Sequence, residues 1–173
     1  ELKNQKDGIK YFFRGPYPVF PSRTSRTVVA SFWKVRGLKI NAFNTEALTR
    51  MAGLYYRSME YKKASEFAMK ALANDTYHPE ANYIFGLVSK KLGKKYDALD
   101  AFSMAARSVS YKSVANAQIA SICFMGGQMQ KSLKYAEKAL DYNRYNINAL
   151  KLKALVFEKT GQLQDRETVL NEI

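Results

Sequence analysis

Side chains that carry chemistry are scarce in this 173-residue chain, which has one cysteine, one histidine and one tryptophan. A lone Cys123 has no internal disulfide partner and says nothing of the redox compartment. With His78 as the only imidazole, neither a His-based triad nor a multi-histidine metal site can be built. His78 stands immediately before Pro79 and reads as a loop histidine at a helix start. No stretch approaches the roughly 18–20 apolar residues that a membrane helix requires. The N-terminal ELKNQKDGIK lacks the apolar segment of a signal peptide and reads as an interior boundary. Proline is rare, and three of the four fall within RGPYPVFPSRTSR, Arg14 to Arg26. Residues 1–24 are therefore expected to be an extended linker, or an arm from an upstream domain.

Acids are the minority charge, 15 against 28 Lys and Arg, for a net +13. Residues 1–43 hold nine Lys/Arg against two acids, and residues 44–173 hold nineteen against thirteen. Basic surface attracts nucleic acid and anionic lipid in general. Yet the clusters Lys62–Lys63, Lys90–Lys91 and Lys94–Lys95 fall at turns and helix ends, where they complement the helix dipole. The aromatics recur at packing positions rather than as a stacking platform, so nucleic acid ranks below a protein partner.

What the chain does have is repetition. YKKASEFAMKAL from Tyr61, KKYDALDAFSMAA from Lys94 and QKSLKYAEKAL from Gln130 place Ala64, Ala98 and Ser132 in one register, 34 residues apart. Small residues recur at Ala52, Gly86, Ala120 and Ala154. Glycines recur at Gly93, Gly127 and Gly161, with Met59 in the first place, and aromatics at Phe43, Tyr77, Tyr111 and Tyr145. A fixed period of this size signals a solenoid of stacked units. From Thr45 the apolar residues Leu48, Met51, Ala52 and Tyr55 follow the helical i, i+3, i+4, i+7 spacing. Each unit thus predicts two helices joined by a short turn, with glycine at positive φ ending the first. The small column permits the close crossing of the pair, and the aromatics are expected to plug the joints between units.

A 34-residue helix–turn–helix unit with these columns resembles the tetratricopeptide repeat, and the match runs from Thr45 to Ile173. It reaches back through VVASFWKVRGLKINAFN, where Ala30, Gly37, Leu38 and Phe43 hold register. Leu48, Asn82, Asn116 and Leu150 stand where the family has tryptophan, and Thr76, Ser110 and Arg144 stand where it has proline. Lys153 and Arg166 occupy core places of the last unit. The resemblance implies an all-α, right-handed α-α superhelix of about nine helices. Its domain would span 25–173, as a half unit 25–44 capped by Ser25 or Thr27, then units 45–78, 79–112, 113–146 and 147–173. SFWKVRGLKIN followed by NTEALTRMAGLYYR is also similar to the repeat half of large Bacteroidetes proteins in which a β-rich domain of unknown function precedes the repeats.

No catalytic constellation emerges. Cys123 falls on an inward helical face, Asp97 and Asp100 are a surface pair, and no glycine-rich segment has phosphate-loop spacing. The expectation is a non-enzymatic interaction scaffold needing no cofactor or metal. In this architecture the first helices line a concave groove. The free positions there are Arg50, Tyr56, Arg57, Tyr83, Leu87, Lys90, Lys91, Phe124 and Lys151, beside Gln118, Ser121 and Glu158. That mixture of cations and aromatics suits an acidic or aromatic-bearing peptide, or an upstream domain of the same chain. The family's clamp for acidic chaperone tails is not matched, since its places hold Thr49, Gly53, Ile84, Val114 and Gln118. A second expectation is a homodimer through the last helix, where Leu163, Leu170 and Ile173 form one stripe.

Overall fold

The computed structural model describes residues 44–172. The arm over 1–24, the half-unit helix with its caps at Ser25 or Thr27, Phe43 and Ile173 all lie outside the described residues. Among the described residues there are eight α-helices and no strand. They are α1 (Thr45–Arg57), α2 (Tyr61–Asn74), α3 (Pro79–Lys91), α4 (Lys95–Ala105), α5 (Val109–Met125), α6 (Met129–Tyr142), α7 (Ile147–Thr160) and α8 (Leu163–Leu170). Consecutive helices pack as antiparallel hairpins, each second helix also leans on the next first helix, and the first helices touch one another in turn.

The helix starts are written locally. Asn44, His78 and Asn146 each accept the backbone N–H three residues on, from Ala47, Ala81 and Ala149, at 3.2 Å. These satisfy donors that the first turn leaves free. Two residues after Asp75 and Asn143, the N–H of Tyr77 and of Tyr145 bonds back to the carboxylate or carboxamide oxygen at 3.1 Å. Val109 occupies the corresponding place as the first residue of α5 and has no such oxygen, so the helix begins early and runs 17 residues against 13 for α3.

That difference corrects the expected aromatic plugs. Tyr77 and Tyr145 sit in the turns, 67% and 68% exposed. The guanidiniums of Arg107 and Arg144 lie over their rings at 5.9 and 4.6 Å. Only Tyr111, carried inside α5, is half-buried and meets Tyr83 at 5.4 Å.

The turns within hairpins share one geometry. Gly93, Gly127 and Gly161 have φ of 76°, 72° and 78°, and Met59 adopts 63° in the same place. In each turn the next N–H reaches back to the last helical turn: Glu60 to Tyr55, Lys94 to Ser89, Gln128 to Cys123, Gln162 to Phe157. This is the Schellman closure, which glycine makes cheaply and methionine makes under strain.

The cores form at the crossings. Ala52, Ala68, Ala120 and Ala136 are completely buried. In the second hairpin the same two columns hold Gly86 and Phe102, and a Cβ on Gly86 would lie 2.7 Å from the Phe102 ring. One pair exchanges volume that the others divide evenly.

Polar residues at core places have partners. Asn82 donates to the carbonyls of Thr76 and His78 at 2.8 and 3.0 Å, and Asn116 to that of Lys112 at 2.7 Å. These asparagines fill the family's tryptophan column by tying down the preceding backbone. Ser132 Oγ donates to Ala120 O at 2.9 Å across its hairpin. Asn146 Nδ2 donates to Ser113 Oγ, and Ser113 to Ala139 O, both at 2.8 Å, linking α5, α6 and α7. The last hairpin is looser. Lys153 Nζ rests 5.8 Å from the Phe157 ring centroid, and the buried Arg166 Nε has no hydrogen-bond partner among the described residues.

The turn and crossing geometries have measurable stability effects. Met59→Gly removes the strained left-handed methionine and raises the unfolding free energy by about 1 kcal/mol in urea titration. Gly86→Ala drives a methyl into the buried Phe102 ring and costs about 1–3 kcal/mol. Phe102→Ala alone costs about 3–5 kcal/mol, and the double variant, recreating the alanine pair of the neighbouring hairpins, costs less than the sum.

Candidate functional site

The side-by-side first helices α1, α3, α5 and α7 form the wall on which the groove residues are expected. The structure brings five of those named together. Lys90, near the end of α3, extends to α5 and donates from Nζ to Gln118 Oε1 and Ser121 Oγ, both at 2.9 Å. The Gln118 amide also acts on the Tyr83 hydroxyl. Tyr83 packs on Phe102 at 5.7 Å and on Tyr111 at 5.4 Å, and Leu87 joins the same core.

The electrostatics of this cluster follow from burial. Burial, aided by Lys91, holds the Lys90 ammonium below the ordinary lysine value. Burial also pushes the Tyr83 hydroxyl up, opposed by the Gln118 amide. Tyr111 is raised by burial and by the nearby carboxylates of Glu80 and Glu46. Gln118 and Ser121 are neutral acceptors, and no carboxylate pairs with Lys90 among the described residues. An ammonium has three N–H donors, and two are used here. The site is therefore a half-buried cation, rigidly placed, with capacity for one further oxygen.

The other expected residues are dispersed. Arg50 is exposed and engaged with Glu46 at 2.8 Å. Tyr56 is half-buried against Tyr61, with ring centroids 5.8 Å apart. Arg57 and Lys91 are exposed final residues of α1 and α3, so they stand at the rim where the hairpin turns begin. Phe124 is half-buried near the end of α5, and Lys151 is exposed on α7. Spacing along the chain marks Tyr111 as a joint residue only. Its place beside Tyr83 depends on the early start of α5, and the signal for it is Val109 in a column of Asp and Asn.

The nucleophile and metal inventories are short. Burial raises the Cys123 thiol, which lies in the core of α5. His78 is a helix cap. Among the described residues no cluster of His, Cys, Asp or Glu is arranged to hold a metal ion.

No protein-family model matches the sequence, and no curated protein matches it. Solved structures do. The chain is similar to MamA at 22% identity, over 83% of each chain, with a TM-score of 0.73. It is similar to YrrB, a TPR protein with an unusual peptide-binding site, at 19% identity over 83% of this chain and 73% of that one, TM-score 0.68. The first TPR of Spaghetti (RPAP3), bound to the HSP90 peptide SRMEEVD, matches at 16% identity over 70% of this chain and 96% of that one, TM-score 0.62. The helical hairpins of this chain are thus stacked in the tetratricopeptide-repeat fold.

Proposed function

We propose that the chain is a non-enzymatic protein-interaction scaffold that takes an acidic, aromatic-bearing peptide segment, or a neighbouring domain, on the wall of first helices. The observation that carries this reading is Lys90. A half-buried cation held only by neutral oxygens costs stability relative to an apolar residue, and a carboxylate ligand would offset that cost. Tyr83 and Phe124 supply aromatic surface on either side of it along α3 and α5. The peptide-binding site of YrrB and the peptide bound to the RPAP3 repeat support a peptide ligand on this fold. The mode differs from a chaperone-tail clamp: Thr49 and Ile84 are buried in the core, and Gln118 is already engaged.

A second reading, pairing of two copies through α8, is supported by the exposure of Leu163 and Leu170. Sedimentation that stays monomeric at high concentration overturns it.

The groove is tested with a panel of fluorescent peptides matched in length, acidic against neutral. Acidic peptides bind, and reversing Arg57, Lys90 and Lys91 to Glu lowers affinity about tenfold or more while the melting curve is retained. Lys90→Met alone abolishes the acidic preference yet leaves stability unchanged or raises it by up to about 1 kcal/mol. Because the contact pairs the Lys90 cation with a peptide carboxylate, affinity is complete near neutral pH, where both are charged, and is lost as pH rises through the depressed lysine value, below the 10.5 of an ordinary lysine. Equal binding of neutral peptides, or indifference to the reversals, overturns the assignment.

A further inference from the structure

Because the helices alternate in direction, all four hairpin turns lie along one edge of the superhelix and the inter-hairpin turns along the other. The two edges differ in charge, although both expose apolar side chains, with Tyr77, Val109, Tyr145 and Ile147 exposed on the inter-hairpin edge. Four stretches in one register, 57–63, 91–97, 125–131 and 159–165, cover the hairpin turns and hold eight Lys/Arg against three acids. Two of those acids, Glu60 and Asp97, are engaged by Lys63 and Lys94. The matching stretches of the opposite edge, 73–79, 107–113 and 141–147, hold three Lys/Arg against two acids. The hairpin edge thus carries a net +5 of the +6 that residues 44–173 contain.

The same edge exposes a large apolar side chain at every turn. Met59 is 71% exposed and Tyr96 79%, and Leu92, Met125 and Leu163 are exposed beside them. Met59 is there at the expense of a left-handed backbone that glycine would adopt freely. Neighbouring turns are also tied together: Lys95 Nζ comes within 2.9 Å of where a Cβ on Gly126 would sit, over the carboxyl end of α5.

We propose that this edge docks on an anionic membrane surface. Lysines on flexible stems flank protruding Met, Leu and Tyr tips, and that combination suits the headgroup boundary: the tips enter the acyl margin while the ammonium groups stay with lipid phosphates. The rim is a row of four turns, and a lipid surface can take up charge and apolar tips from several of them together. The attachment is peripheral, since no described helix is long and apolar enough to cross a bilayer. Arg57 and Lys91 belong to this rim by position, whereas Lys90 faces the wall.

The test is sedimentation of the whole 173-residue chain with phosphatidylglycerol vesicles and with phosphatidylcholine vesicles. The expected result is partition onto phosphatidylglycerol, little onto phosphatidylcholine, and weakening by salt. Lys62→Glu with Lys94→Glu lowers the partition about tenfold or more. Met59→Gly with Met125→Ser lowers it several-fold, and since Met59→Gly relieves strain, that loss is not unfolding. Reversing Arg107, Lys112 and Arg144 on the opposite edge leaves partition unchanged. Absence of binding, equal uptake by phosphatidylcholine, or equal loss in the opposite-edge variant overturns the proposal. Retention on polyglutamate without uptake by phosphatidylglycerol vesicles also overturns it and assigns the rim to an acidic protein.

Discussion

Close approach of two antiparallel helices, repeated every 34 residues, governs the rest of this molecule. A helix pair this short cannot bury its apolar stripe unaided, so each hairpin depends on contact with the next. Ala52, Ala120 and Ala154, with Gly86 between them, set how near the two helices of each pair can come. Once that distance is fixed, the turns must be tight, and the left-handed closure at residues 59, 93, 127 and 161 follows. The exchange of Ala–Ala for Gly–Phe in the second hairpin shows the constraint acting on volume rather than on residue identity.

The same stacking separates three surfaces with different chemistry. First helices place Tyr83, Lys90, Gln118 and Ser121 on one wall, where a cation is held by neutral oxygens and shifted by burial. Hairpin turns collect most of the net charge of residues 44–173 together with exposed Met, Leu and Tyr. Inter-hairpin turns present tyrosines under arginine guanidiniums with little net charge. A peptide on the wall is centred on Lys90 and a lipid surface on the turns, with Arg57 and Lys91 at the border of both, so Lys90 on one side and Lys62 with Lys94 on the other separate the two proposals.

Much of the architecture is legible in the sequence because it rests on short-range rules. The helix pairs, the turn glycines and the small crossing residues each depend on spacing along a few turns of helix. The place of Met59 in a glycine column is visible too, and its positive φ follows from that register. The aromatic column misleads for a local reason: an Asx residue two places earlier holds Tyr77 and Tyr145 outward, and Val109 lets Tyr111 turn in. Groove composition is readable, but its organisation is not. Lys90 meets Gln118 and Ser121 only because its long side chain crosses from α3 to α5, which a single-helix face does not reveal. The asparagines at 82 and 116 likewise look like losses from the core, although each is bonded to backbone preceding it in the chain.

The unequal ties between hairpins set the order in which the spiral comes apart. α8 is a helix of eight residues beside an unpaired buried guanidinium nitrogen, so fraying begins there and its amides exchange first. Inward progress then meets the Asn146–Ser113–Ala139 chain, whose buried Asn146–Ser113 bond must break before α7 can leave. That link ties three successive helices in the middle of the array.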